Sequence, residues 1–187
     1  KVTTIGDSAF ANTKLGGLDL SKATSLVEIG DGAFTYATDL RGTLVIPAKV
    51  TTIGYSAFER TKLTGLDLSD ATSLLEIGDE AFSGTDLGGT LVIPAKVTTI
   101  GDSAFERTKL TGLDLSDATS LVEIGEDAFS GTDLGGTLMI PAKVTTIGAS
   151  AFAKTKFGGL DLSKATSLVE IGDGAFIYAT GISGVWS

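Results

Sequence analysis

The side chains able to do chemistry in this chain of 187 residues are carboxylates, cations and hydroxyls. There are 23 Asp and Glu, 14 Lys and Arg, and neither His nor Cys. Without an imidazole or a thiol there is no Ser–His or Cys–His nucleophile, and no thiolate or imidazole set for zinc. Paired carboxylates remain, but such a pair works only when unlike surroundings drive its two pKa values apart. Here the carboxylates recur as evenly spaced copies, which makes their surroundings alike. Gly88-Gly89 and Gly135-Gly136 lead into a strand pattern and not a helix, so they are no phosphate loop. The expectation is a protein without catalysis, cofactor or metal.

What the reactive residues do have is spacing. The phrase Ile-Gly-x-x-Ala-Phe occurs eight times, its phenylalanines being Phe10, Phe34, Phe58, Phe82, Phe105, Phe129, Phe152 and Phe176. Steps of 23 or 24 residues mark a solenoid, in which equivalent positions of successive coils lie about 4.8 Å apart and form columns. Two half-repeats alternate. An A half reads Val50-Thr-Thr-Ile-Gly onward to Leu66-Asp-Leu68, and a B half reads Leu74-Leu-Glu-Ile-Gly onward to Leu91-Val-Ile93-Pro94. The coils fall near 1–25, 26–49, 50–73, 74–96, 97–120, 121–143, 144–167 and 168–187, one solenoid without dedicated caps and suited to a longer array.

Each column has its own chemistry. Asp19, Val45, Asp67, Val92, Asp114, Met139 and Asp161 stand between two inward-facing residues and form the candidate binding face. Their carboxylates recur at every second coil, roughly 10 Å apart, too far to share a calcium ion that needs six to eight oxygens at 2.3–2.6 Å. Lys14, Asp39, Lys62, Asp86, Lys109, Asp133 and Lys156 alternate in sign, a register device in which each Lys lies between two carboxylates. Thr13, Thr61, Thr85, Thr108, Thr132 and Thr155 are expected to turn inward and satisfy backbone groups at the bend. Thr4, Glu28, Thr52, Glu76, Thr99, Glu123, Thr146 and Glu170 would resemble an ice-binding threonine array, but a carboxylate interrupts it on alternate coils.

The elements that position these columns follow from the apolar pattern. Leu18/Leu20, Leu44/Ile46, Leu66/Leu68, Leu91/Ile93, Leu113/Leu115, Leu138/Ile140 and Leu160/Leu162 alternate with period two, the mark of a strand with one buried face. Stacked in parallel they are expected to form one continuous sheet. Asp7, Asp31, Asp79, Asp102 and Asp173 follow the Gly and are read as N-caps of a single 3₁₀ or α turn. Pro47, Pro94 and Pro141 end the B strands, because proline cannot donate to the ladder.

These residues resemble the BspA-type leucine-rich repeats, in which Leu-x-x-Leu-x-Ile-Pro is followed by Val-x-x-Ile-Gly-x-x-Ala-Phe. The resemblance covers essentially all 187 residues. It implies an α/β fold: a right-handed leucine-rich-repeat solenoid of eight coils, with a parallel sheet on the concave face and short helical or irregular turns on the convex face. It also implies an extracellular or cell-surface setting and a role in adhesion. The Cys that the family often carries three residues after the Phe is Thr here.

The net charge of −9 speaks against nucleic acid and anionic membranes, whose binding draws on Lys and Arg, and no apolar run approaches the ~20 residues of a membrane span. The concave column varies little between coils. It suits a protein or polysaccharide with a repetitive surface, held by many weak contacts. A structural array or consensus-type scaffold with no ligand fits the same monotony. Neither end is capped: Lys1-Val2 starts mid-unit and Trp186 falls where Leu44 and Leu91 sit, so end-to-end self-association is a further expectation.

Overall fold

The computed structural model describes residues 1–181, so the expected strand and plug at 182–187 lie outside the described residues. In chain order the strands are β1 (Thr4–Ile5), β2 (Glu28–Ile29), β3 (Arg41–Val45), β4 (Thr52–Ile53), β5 (Lys62–Asp67), β6 (Glu76–Ile77) and β7 (Gly88–Val92). They continue as β8 (Thr99–Ile100), β9 (Lys109–Asp114), β10 (Glu123–Ile124), β11 (Gly135–Met139), β12 (Thr146–Ile147), β13 (Lys156–Asp161) and β14 (Glu170–Ile171). All pairing is parallel, coil on coil, in a solenoid of about eight coils.

The continuous sheet is not where the sequence pattern places it. One eight-stranded sheet runs the length of the solenoid through the two-residue strands, in the order β1-β2-β4-β6-β8-β10-β12-β14. Its register pairs Thr4 with Glu28 and Glu28 with Thr52, so the alternating Thr/Glu column lies on this sheet. The concave Leu strands pair only two by two: β3 with β5, β7 with β9, and β11 with β13. B halves place three residues between the inward leucines Leu87 and Leu91, whereas A halves place two between Leu63 and Leu66. On the B-to-A side the register shifts at Gly42/Thr43, Gly89/Thr90 and Gly136/Thr137, leaving Thr64, Thr111 and Gly158 of the A strands unopposed, and the glycines there take φ of 89°, 76° and 80°. On the A-to-B side pairing lapses.

The convex turns also differ from the expectation. No helix forms there among the described residues. Two residues per coil adopt left-handed φ, for example Ser56 (48°) and Arg60 (54°), which no right-handed helix accommodates. Instead alternate amides point to different partners. Ala57 and Glu59 donate within their own coil, to Gly54 O and Ser56 O, while Ser56, Phe58 and Arg60 donate to Asp79 O, Ala81 O and Ser83 O of the next. The Asp side chains are therefore not N-caps of their own turn. Asp31 N–H donates to Asp7 Oδ1 (2.9 Å), Tyr55 N–H to Asp31 Oδ1 (2.8 Å) and Glu126 N–H to Asp102 Oδ1 (2.7 Å), so each carboxylate ties its coil to the one after.

The core is the set of inward columns. Phe34, Phe58, Phe82, Phe105, Phe129 and Phe152 are fully buried, and the eight repeat phenylalanines stack with ring centroids 5.0–5.4 Å apart. Beside them the Thr column turns inward as the sequence implies. The hydroxyls of Thr61, Thr85, Thr108, Thr132 and Thr155 donate to the carbonyl of the preceding Phe at 2.8–3.0 Å.

Candidate ligand-binding grooves on the concave face

Where two strands pair, the B-half Thr packs over the A-half Gly. A Cβ on Gly65 would lie 2.6 Å from Thr43 Oγ1, and one on Gly112 2.6 Å from Thr90 Oγ1, so a larger residue there would have to displace the threonine side chain. Where they do not pair, an opening remains. Between β5 and β7 it holds about 710 Å³ and is lined by Leu66, Asp67, Val92, Ile93, Pro94 and Lys96, with Ser69, Thr72, Asp117 and Thr119 around them. One double repeat further on, between β9 and β11, a groove of about 500 Å³ is lined by the equivalent Leu113, Asp114, Met139, Pro141 and Lys143. Lys164 stands there at the position that Asp117 occupies in the first groove. The floors are aliphatic, the rims carry hydroxyls and both signs of charge, and no aromatic side chain lines either groove among the described residues.

The candidate column divides between these features. Val45, Val92 and Met139 are exposed at 37%, 47% and 40%, high for large apolar side chains on a folded surface. Val92 and Met139 each line one groove. The aspartates do not simply project outward. Asp19, Asp67, Asp114 and Asp161 each accept a hydrogen bond on Oδ1 from the N–H two residues on, that of Ser21, Ser69, Ser116 and Ser163, at 2.8–2.9 Å. The hydroxyl and N–H of Ser69 hold the Asp67 carboxyl below the usual carboxylate range, and Ser21 and Ser163 do the same for Asp19 and Asp161. At Asp114 the Ser116 N–H is the larger influence and the hydroxyl the smaller. These carboxylates close the turn that follows each A-half Leu-Asp-Leu, and those of Asp67 and Asp114 lie at groove rims. The sequence pattern showed their column but not this fold-back.

The charge column is one-sided. Lys109 Nζ lies 2.6 Å from Asp86 Oδ1 and Lys156 Nζ 2.6 Å from Asp133 Oδ1, both across a B-to-A junction. Asp39 is held instead by Arg41 in its own coil, at 3.5 Å. No Lys of the column bridges two carboxylates among the described residues, because the A-to-B junctions are the open ones. Lys–Asp pairing thus occurs at two of the three paired junctions, β7/β9 and β11/β13.

Sequence comparison matches this architecture to a family. A model of the BspA-type leucine-rich repeat region aligns with residues 3–134 and 71–183, in six copies, and the chain belongs to that family. In structure it is similar to the pneumococcal vaccine antigen PcpA, at 25% identity and a TM-score of 0.64, over 72% of this chain and 35% of that one. A leucine-rich repeat protein from Bacteroides ovatus ATCC 8483 shares 24% identity at a TM-score of 0.46, over 97% of this chain and 58% of that one. The chain therefore spans about a third of the first of these proteins and less than two thirds of the second. No curated protein sequence matches it.

Proposed function

We propose that this chain is a non-enzymatic recognition module that holds a protein or glycan with a repetitive surface across its concave face, in an extracellular or cell-surface setting. The observation that carries this reading is the lapse of strand pairing between β5 and β7 and between β9 and β11, which opens two equivalent grooves. Membership of the repeat family and similarity to a pneumococcal vaccine antigen support the setting. Equivalent sites in a row favour a partner that repeats, since the second contact of a linked ligand is intramolecular and gains a high effective concentration.

The test is capture on arrays of matrix proteins and glycans by the full chain, by Val92→Asp/Met139→Asp, and by Asp67→Ala/Asp114→Ala/Asp161→Ala. The reading expects capture that the groove-floor pair abolishes and the aspartate triple weakens. Capture indifferent to both sets places recognition elsewhere on the molecule, and no capture at all favours a ligand-free structural array.

A further inference from the structure

We infer that the Asp173-Gly174 bond is a site of spontaneous aspartate isomerisation, and that coil-on-coil stacking silences the same sequence at Asp31-Gly32. This goes beyond the recognition reading above and does not depend on it.

Asp-Gly occurs at these two places in the chain, and both lie in an identical stretch, at 16–34 and at 158–176. Glycine is the least obstructive residue to follow an aspartate, since it has no Cβ to shield its amide. In the reaction that amide nitrogen attacks the side-chain Cγ, and water leaves to give a five-membered succinimide. Water then opens the ring at either carbonyl. Opening at the main-chain carbonyl leaves an isoaspartyl link that runs through the side chain and is one carbon longer. The carboxyl, the amide and water are the only reactants, and nothing is oxidised or reduced.

The two turns are alike, with φ of 58° at Gly32 and 63° at Gly174. What differs is the cover. At the first site Gly32 N–H donates to Tyr55 O at 2.7 Å, Asp31 Oδ1 accepts from Tyr55 N–H at 2.8 Å, and Asp31 N–H donates to Asp7 Oδ1 at 2.9 Å. Nucleophile, electrophile and the backbone between them are all engaged, and Gly32 is buried. At the second site none of these bonds has a counterpart among the described residues. Ala149 stands where Asp7 stands for the first site, no described coil covers coil eight, and Asp173 and Gly174 are exposed. The Asp-Ser pairs are closed in the way that Gly32 is: Ser8 N–H donates to Asp31 O at 2.8 Å and Ser103 N–H to Glu126 O at 2.7 Å. Isomerisation at Asp173 turns its carbonyl, which Ser150 N–H holds at 3.0 Å, into a free carboxylate, and so loosens coil eight on coil seven.

The experiment incubates the 187-residue chain, folded and in concentrated guanidinium chloride, and then digests it briefly with trypsin. Cleavage after Lys22, Arg41 and Lys164 puts Asp31 in the peptide 23–41 and Asp173 in the peptide 165–187. Chromatography with fragment-ion mass spectrometry then measures the isoaspartyl form of each. In the folded chain Asp173 is expected to isomerise at least about tenfold faster than Asp31, which reacts only when coil three lifts from coil two. In denaturant the two rates should converge to within about twofold, because stacking is gone and the flanking sequence is the same. Gly174→Glu copies the Asp79-Glu80 pair, whose Glu already holds this left-handed turn at a φ of 55°. It should slow Asp173 by about tenfold through the added side chain, and leave Asp31 and the circular dichroism unchanged. Folded-state rates within about threefold of each other overturn the inference, as does an Asp173 that stays unreacted while the unfolded chain isomerises. A bias that persists undiminished in denaturant overturns it as well, since stacking then plays no part.

Discussion

Replacing Phe105 by Ala tests whether the phenylalanine column is the spine of this solenoid. The ring has no exposed surface and is flanked by Phe82 and Phe129 at 5.3 Å, with interplanar angles of 9° and 5°. Removing it deletes a buried aromatic side chain and leaves a cavity between two rigid coils, for a cost of about 3–5 kcal/mol. Phe10 provides the internal control. It is 41% exposed and stacked on one side only, against Phe34 at 5.1 Å, so Phe10→Ala should cost about half as much. With a urea dependence of ~2 kcal/mol/M, the midpoint should fall by about 1.5–2.5 M for Phe105→Ala and by ~1 M for Phe10→Ala. Urea titration followed by circular dichroism measures both. A Phe105→Ala midpoint that moves no further than that of Phe10→Ala would refute a stack whose stability comes from burial between coils.

Three further outcomes follow from the same geometry. A Cβ on Gly125 would meet Asp102 N at 2.6 Å and Gly101 C at 2.6 Å, whereas one on Gly136 meets open space at a φ of 80°; Gly125→Ala should therefore destabilise by about 3 kcal/mol, and Gly136→Ala by only ~1–2 kcal/mol, read as denaturation midpoints. Lys109→Asp should lose about 0.3–1 kcal/mol and regain most of it when Asp86→Lys is added, while the same exchange at Lys62 and Asp86, which do not pair, should show no recovery. The carboxyls of Asp67 and Asp114 are lowered in the folded chain, so their stabilisation is complete above the unfolded value near 3.8 and fades as pH falls through the folded value; Asp67→Asn/Asp114→Asn should flatten that acid limb in thermal melts from pH 5 to pH 2 and leave the slope above pH 5 unchanged.

The inward architecture was legible because burial forces a pattern. A polar Thr recurring beside buried Phe has few ways to be satisfied, and the hydroxyl-to-carbonyl bonds of Thr61 and Thr108 follow. The turn chemistry was less legible. Ser56, Glu80 and Asp127 share a left-handed backbone that their types do not announce, and it is stacking against the next coil that holds them there. Asp31 after Gly30 has the local look of a helix cap; only the neighbouring coil reveals Tyr55 N–H as its donor. Of the candidate site, the column from Asp19 to Asp161 was visible as a periodicity, but its division into groove floor and turn closure was not. One signal was present and is easily passed over: the A and B halves differ in length, with three residues between Leu87 and Leu91 against two between Leu63 and Leu66, so one uniform sheet is not to be expected. The concave pairing lapses on one side of each A strand, and that lapse makes the grooves.

Amide hydrogen exchange tests this central claim most directly. Ile93 N–H donates to Asp114 O and Ile140 N–H to Asp161 O, across the paired junctions. Successive amides of a parallel strand point to opposite neighbours, so those of Val92 and Met139 face the unpaired edges of β5 and β9. The account predicts slow exchange at Ile93 and Ile140 and exchange faster by at least two orders of magnitude at Val92 and Met139, one residue away. Equal, strong protection at all four amides would mean that the concave sheet is continuous and that the grooves do not exist.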